Sequence, residues 1–126
     1  MHEYHQERLT ISKGEMLDFA KISGDYNPIH LDAQFSVSQG FQDSIVYGAL
    51  IIARVSGIIA SKFPGPGTVI GNIDWRFIAP IYVNQVLTIK LKLNSSEGRN
   101  KVMDLELLND SGELVQEAQL IIFIRK

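Results

Sequence analysis

The sequence predicts an α+β domain in which a curved antiparallel sheet wraps one long buried helix. Three observations lead there. Residues 47–63, YGALIIARVSGIIASKF, have helical length and are apolar around nearly the whole circumference. A helix of that kind must be enclosed by other elements to remain in water. From Ile73 onward, apolar and polar residues alternate with a period of two, the pattern of strands with one buried and one wet face. Between the two lies Pro64-Gly65-Pro66-Gly67, a run that ends a helix.

The elements follow in order. Residues 4–11 read as a first strand. Ser12 opens an S-x-x-E capping box with Glu15, and Met16, Phe19 and Ala20 supply helical spacing up to a stop near Ser23-Gly24. Asp32 caps a short helix over residues 33–38, and the long helix of about four turns follows. Ile73, Trp75 and Phe77 alternate with Asp74 and Arg76, and Leu87, Ile89, Leu91 and Leu93 alternate with Thr88, Lys90 and Lys92. Val102, Met103, Leu105 and Leu107 surround Asp104 and Glu106. Asn109-Asp110-Ser111-Gly112 is a turn, and the last strand ends in the apolar run 120–124. One buried helix inside such a sheet is the hot-dog architecture, expected here as a single domain over residues 1–126.

Composition removes several classes of function. The 126 residues contain no cysteine, which excludes disulfides, thiol nucleophiles and thiolate metal sites. A net charge of −2 argues against nucleic-acid binding. No basic start leads into an apolar leader, so no secretory signal is expected. The apolar run 49–60 is broken by Arg54 and is too short to span a bilayer, so a cytoplasmic protein without membrane contact is expected. His2 and His5 resemble a metal pair only superficially, lie on a terminus expected to be mobile and have no further ligand nearby, so no metal site is expected.

The stretch SGDYNPIHLD, residues 23–32, carries the candidate chemistry. Asp25 and His30 lie five residues apart, which in a straight strand would send them to opposite faces. Pro28 biases Asn27 away from helical backbone, so the pair does not share one helix face. Gly24, Asn27 and Pro28 are turn formers, and a turn can bring the two side chains together. Two readings are open. Asp25 can accept backbone N–H groups in the turn while His30 packs in the core. Alternatively the two transfer protons, since unperturbed His titrates near ~6.5 and Asp near ~3.9.

FAKISGDYNPIHLDAQFS, residues 19–36, resembles the signature of the MaoC-like (R)-specific enoyl-CoA hydratases, in which an aromatic precedes S/T-G-D-x-N-P-[LIV]-H. The resemblance continues through IVYGALIIARVSGIIASKFPGPGT and WRFIAPIYVNQVL, covering roughly residues 11–93. It implies (3R)-stereospecific syn hydration of a trans-2-enoyl thioester of CoA or acyl-carrier protein, or the reverse dehydration, by a homodimer without cofactor. Carried over, Asp25 is the general base towards water and His30 helps deliver the proton to the α-carbon. Asn27 and Pro28 set the loop, and Ser56 steadies it by hydrogen bonding. Gly48 stands at the helix start, either as a backbone N–H donor to the thioester oxygen or simply to let the chain pass into the helix. Tyr47 replaces a His common in relatives and is expected to shape the pocket mouth; Asn84 stands where an Asp is common. Lys62, Arg76, Arg99 and Lys101 are candidates for CoA phosphates, with solvated surface charge as the plainer reading. Two other functions compete. A hot-dog thioesterase commonly places a carboxylate on the central helix, and residues 48–63 hold no Asp or Glu. A non-catalytic acyl-binding subunit would tolerate loss of Asp25 or His30, and both are present.

Overall fold

The computed structural model describes residues 2–94 and 100–124, with the His2 side chain outside the description. Strand β1 (His2–Leu9) leads into helix α1 (Lys13–Ser23). Ser12 Oγ accepts from the Glu15 N–H at 3.2 Å and the Glu15 carboxylate accepts from the Ser12 N–H at 2.7 Å, so the capping box forms. The helix closes at Gly24, whose φ of 74° is left-handed and whose N–H donates to the Ala20 carbonyl. Two short helices follow, α2 (Pro28–Leu31) and α3 (Ala33–Ser38), then the long helix α4 (Gly48–Ser61). The chain ends in β2 (Thr68–Phe77), β3 (Leu87–Asn94), β4 (Asn100–Leu108) and β5 (Leu114–Ile124). All strand pairs are antiparallel, in the order β1-β3-β4-β5-β2.

The period-two pattern becomes the core. Ile89, Leu91 and Leu93 of β3 face Leu107, Leu105 and Met103 of β4, and all six are buried. Ile51, Val55, Ile58 and Ile59 of α4 belong to the same core cluster. Each such side chain contributes about 1.5–3 kcal/mol on leaving water.

Three local expectations change. The first strand ends at Leu9 rather than residue 11, because Thr10 and Ile11 leave the ladder for other partners. The Ile11 carbonyl accepts from the Asn84 N–H, and the Thr10 carbonyl meets Arg54, which is also paired with Glu15. Far from being a loose terminus, β1 grips the end of α4. Glu7 accepts from Lys62 at 3.0 Å and from His5 at 2.8 Å, and the His5 ring stacks on Phe63. The His5 hydrogen bond, with Lys62 adding to it against the effect of burial, holds the Glu7 carboxyl below its usual value.

The third change concerns α4. It begins at Gly48 rather than Tyr47, and it is not enclosed all round. Ala49, Ala53, Gly57 and Ala60 are exposed within this chain, while the opposite flank meets the sheet. A single five-stranded sheet covers one side of a helix, and small residues line the side it leaves bare. The edge strand β2 is similarly open, with Ile73 44% and Phe77 57% exposed. No helix among the described residues is long and apolar enough to cross a membrane.

Candidate active site

The loop after α1 is built from consecutive short-range hydrogen bonds. Ser23 Oγ donates to the Phe19 carbonyl at 2.6 Å and accepts from the Asp25 N–H at 3.1 Å. Asp25 Oδ1 accepts from the Asn27 N–H at 3.0 Å, and Asn27 Oδ1 accepts from the Ile29 N–H at 3.1 Å. Asn27 thereby caps α2 with Pro28 at its first turn, a position where proline loses nothing because that N–H has no helical partner. Asp25 is exposed and does act as a turn acceptor. Its second carboxylate oxygen has no hydrogen bond among the described residues. The turn expected from Asn27-Pro28 is therefore a capped helical turn, and His30 sits inside it.

His30 is held from a distance. Its Nδ1 lies 2.6 Å from the Ile45 carbonyl oxygen. A carbonyl can only accept, so Nδ1 carries the proton and a neutral ring keeps its lone pair on Nε2. The Ile45 carbonyl is fixed in turn: the Ile45 N–H donates to the Ile29 carbonyl, residue 45 bridges Tyr82, and the Val46 N–H donates to the Ile81 carbonyl.

Tyr47 joins the two candidate groups. Its ring stacks on His30 with centroids 4.0 Å apart and tilts against Phe19 at 4.9 Å. Its hydroxyl donates to the Asp25 carbonyl oxygen at 2.7 Å. Burial first, then the negative charge of Asp25, pushes the phenol above its ordinary value, so it stays a donor. The expectation that Tyr47 shapes a pocket mouth is corrected. It is 2% exposed and forms an internal strut, because its ring fills the space between α1 and α2.

Beside His30 lies a cleft of about 750 Å³, bounded by the start of α4 and by β2, with Ile45, Ile52 and Ile81 among its apolar walls. His30 borders it and Asp25 does not line it, and Tyr47 links the two by stacking on the His30 ring and bonding to the Asp25 backbone carbonyl. No hydrogen bond joins Asp25 to His30 among the described residues. The Gly48 and Ala49 N–H groups at the start of α4 have no partner among the described residues, as expected for a first turn without a side-chain cap. The room above Gly48 is occupied: a Cβ there would lie 2.6 Å from Phe77 Cε1. The missing side chain thus admits the Phe77 ring, and a Gly48→Ala exchange would move that ring as well as crowd any bound carbonyl.

Ser56 departs from its expected role, because its hydroxyl makes no hydrogen bond among the described residues and it sits at the margin of the bare flank of α4. Lys62 and Arg76 are engaged with Glu7 and Glu117, and Arg99 lies outside the described residues. Asn84 has a φ of 68°, which asparagine tolerates better than most residues. Sequence reasoning missed Gln116, a buried amide at the cleft bonded to Trp75, because Val115-Gln116-Glu117 carries no local signal beyond strand alternation.

Fold and cleft together define a hot-dog protein whose apolar cleft has one imidazole at its edge. The chain belongs to the family described as MaoC like domain, whose model matches residues 1–112. It is 31% identical over 83 residues to the 3-hydroxybutyryl-CoA dehydratase of Methylorubrum extorquens, covering 66% of this chain and 53% of that protein. It is 31% identical over 81 residues to the (R)-specific enoyl-CoA hydratase of Aeromonas caviae, covering 64% of this chain and 60% of that protein. The chain thus spans little more than half the length of these curated relatives. Among solved structures, the unliganded R-hydratase PhaJ1 from Pseudomonas aeruginosa superposes with a TM-score of 0.92 at 28% identity, over 100% of this chain and 82% of that one. The (R)-hydratase of A. caviae does so at 0.91 and 22% identity, over 98% and 95%, a likeness that shows the fold.

Proposed function

We propose that this chain catalyses the reversible hydration of a trans-2-enoyl thioester, carried on CoA or acyl-carrier protein, to the (3R)-hydroxyacyl thioester. The observation that carries the reading is His30, an imidazole held by a backbone carbonyl at one nitrogen and bordering an apolar cleft beside an uncapped helix start. The Nδ1 proton on Ile45 moves one role from the loop acid to the imidazole. His30 Nε2 takes a proton from water as the oxygen bonds to the β-carbon. The double-bond electrons shift through the α-carbon onto the thioester oxygen, and the imidazolium returns the proton to the α-carbon on the same face. In this reading Asp25, outside the cleft lining of the single chain, turns its second carboxylate oxygen to the water's other hydrogen at the edge beside His30. The developing oxyanion lies at the unpaired N–H groups of Gly48 and Ala49, where the helix start is electropositive.

With crotonyl-CoA and the purified chain, absorbance of the conjugated thioester is expected to fall while no free thiol appears. Thiol release with the double bond intact would replace hydratase by thioesterase. No reaction at either position would leave an acyl-binding subunit.

The working unit in this reading is a homodimer. The bare flank of α4 and the exposed apolar residues of edge strand β2 are surfaces that a second copy would cover. Light scattering at micromolar concentration is expected to give twice the chain mass, and a single-chain mass would refute the pairing.

A further inference from the structure

The side chains lining the cleft are apolar except for His30 and Gln116. Gln116 lies on the inner face of β5 and is 4% exposed. Burying an amide is unfavourable for each of its groups left without a hydrogen bond. Half of this amide is satisfied, since Trp75 Nε1 donates to Gln116 Oε1 at 2.9 Å. An indole nitrogen can only donate, so the contact decides which end of the amide is which: Oε1 faces Trp75 and Nε2 points elsewhere. Nε2 has no protein partner among the described residues, yet no fully enclosed side-chain nitrogen or oxygen there lacks one. Nε2 is therefore not fully enclosed, and the space that Gln116 lines is the cleft.

Resting on the hydratase reading, we infer that Gln116 Nε2 selects substrates by donating a hydrogen bond to an oxygen atom carried on the acyl chain beyond the reacting carbons. The thioester oxygen has its donors at the start of α4, on another element. Phe77 packs against Gly48 and is the register partner of Gln116, so the amide stands one aromatic ring away from that helix start. A plain hydrocarbon chain would strip water from Nε2 and give nothing back, whereas a hydroxyl, ether or carbonyl oxygen would replace it. Trp75 is a positioning residue, because without its indole the amide could turn and present Oε1 instead.

The test compares kcat/KM for hydration of trans-2-hexenoyl-CoA with its 5-hydroxy, 6-hydroxy and 5-methoxy analogues. The best oxygenated substrate is expected to be preferred by about fivefold or more, the worth of one neutral hydrogen bond. Gln116→Met is expected to bring that ratio to about one, and Trp75→Phe to lower it part of the way. A wild-type ratio at or below one overturns the inference, as does an equal loss on both substrates in Gln116→Met, which marks a structural amide. If the Met variant does not fold, Gln116→Glu serves, since it keeps an acceptor for Trp75 and removes the amide donor. Trp75 is the sole tryptophan, so its fluorescence reports binding without turnover. Tighter binding of 5-hydroxyhexanoyl-CoA than of hexanoyl-CoA, with no enoyl thioester hydrated, would uphold the Gln116 site while rejecting the hydratase reading. Equal affinities would reject the site whatever the activity.

Discussion

His30→Ala is expected to lower kcat for enoyl-thioester hydration by about 10²-fold or more, with a smaller change in KM. The variant removes the Nε2 acceptor, and it also frees the Ile45 carbonyl and unstacks one face of Tyr47. Because those structural losses could act alone, the companion variant matters. Asp25→Asn keeps an oxygen for the Asn27 N–H and so preserves the turn, while removing the charge and one water-binding oxygen. It too is expected to lose about 10²-fold in kcat. Steady-state rates at saturating crotonyl-CoA measure both. Near-normal turnover in Asp25→Asn would return Asp25 to a turn acceptor, and near-normal turnover in His30→Ala would remove the centre of the proposed chemistry.

Tyr47→Ala is expected to cost about 3–5 kcal/mol of stability, the range for deleting a large aromatic from a packed interior. The ring is 2% exposed and touches the rings of both Phe19 and His30, so its loss opens a cavity against α1 and α2 together. Tyr47→Phe keeps the ring and removes only the bond to the Asp25 carbonyl, at a cost of about 1 kcal/mol. Denaturant midpoints for the two variants separate packing from hydrogen bonding. If Tyr47→Ala fell within about 1 kcal/mol of the parent protein, the site would be able to collapse and the strut would not be structural. The Phe variant should also lower kcat, because the hydroxyl is what ties the Asp25 backbone to the ring that supports His30.

Much of the fold was legible because its signals are local. Ser12 and Glu15 form their box three residues apart, Gly24 closes α1 with a positive φ, and Asp32 caps α3. The alternation in Leu87–Asn94 and Asn100–Leu108 reached the buried face of β3 and β4 without help from any distant residue. The flaw was the inference of full enclosure for α4. Hydrophobicity around a helix says that its sides must leave water in the working protein, and it does not say that this chain alone covers them.

The candidate site divides along the same line. By itself, the sequence determined the Asp25-Asn27-Pro28 turn, since its hydrogen bonds span only two to four residues. Only the tertiary structure decided what that turn faces. The bond that sets the His30 tautomer spans 15 residues, the one tying Tyr47 to Asp25 spans 22, and the one orienting Gln116 through Trp75 spans 41. Short-range hydrogen bonds follow from the conformations open to a few adjacent residues. Long-range ones exist because packing the core brings separate elements into register, and no local pattern records which partners will meet.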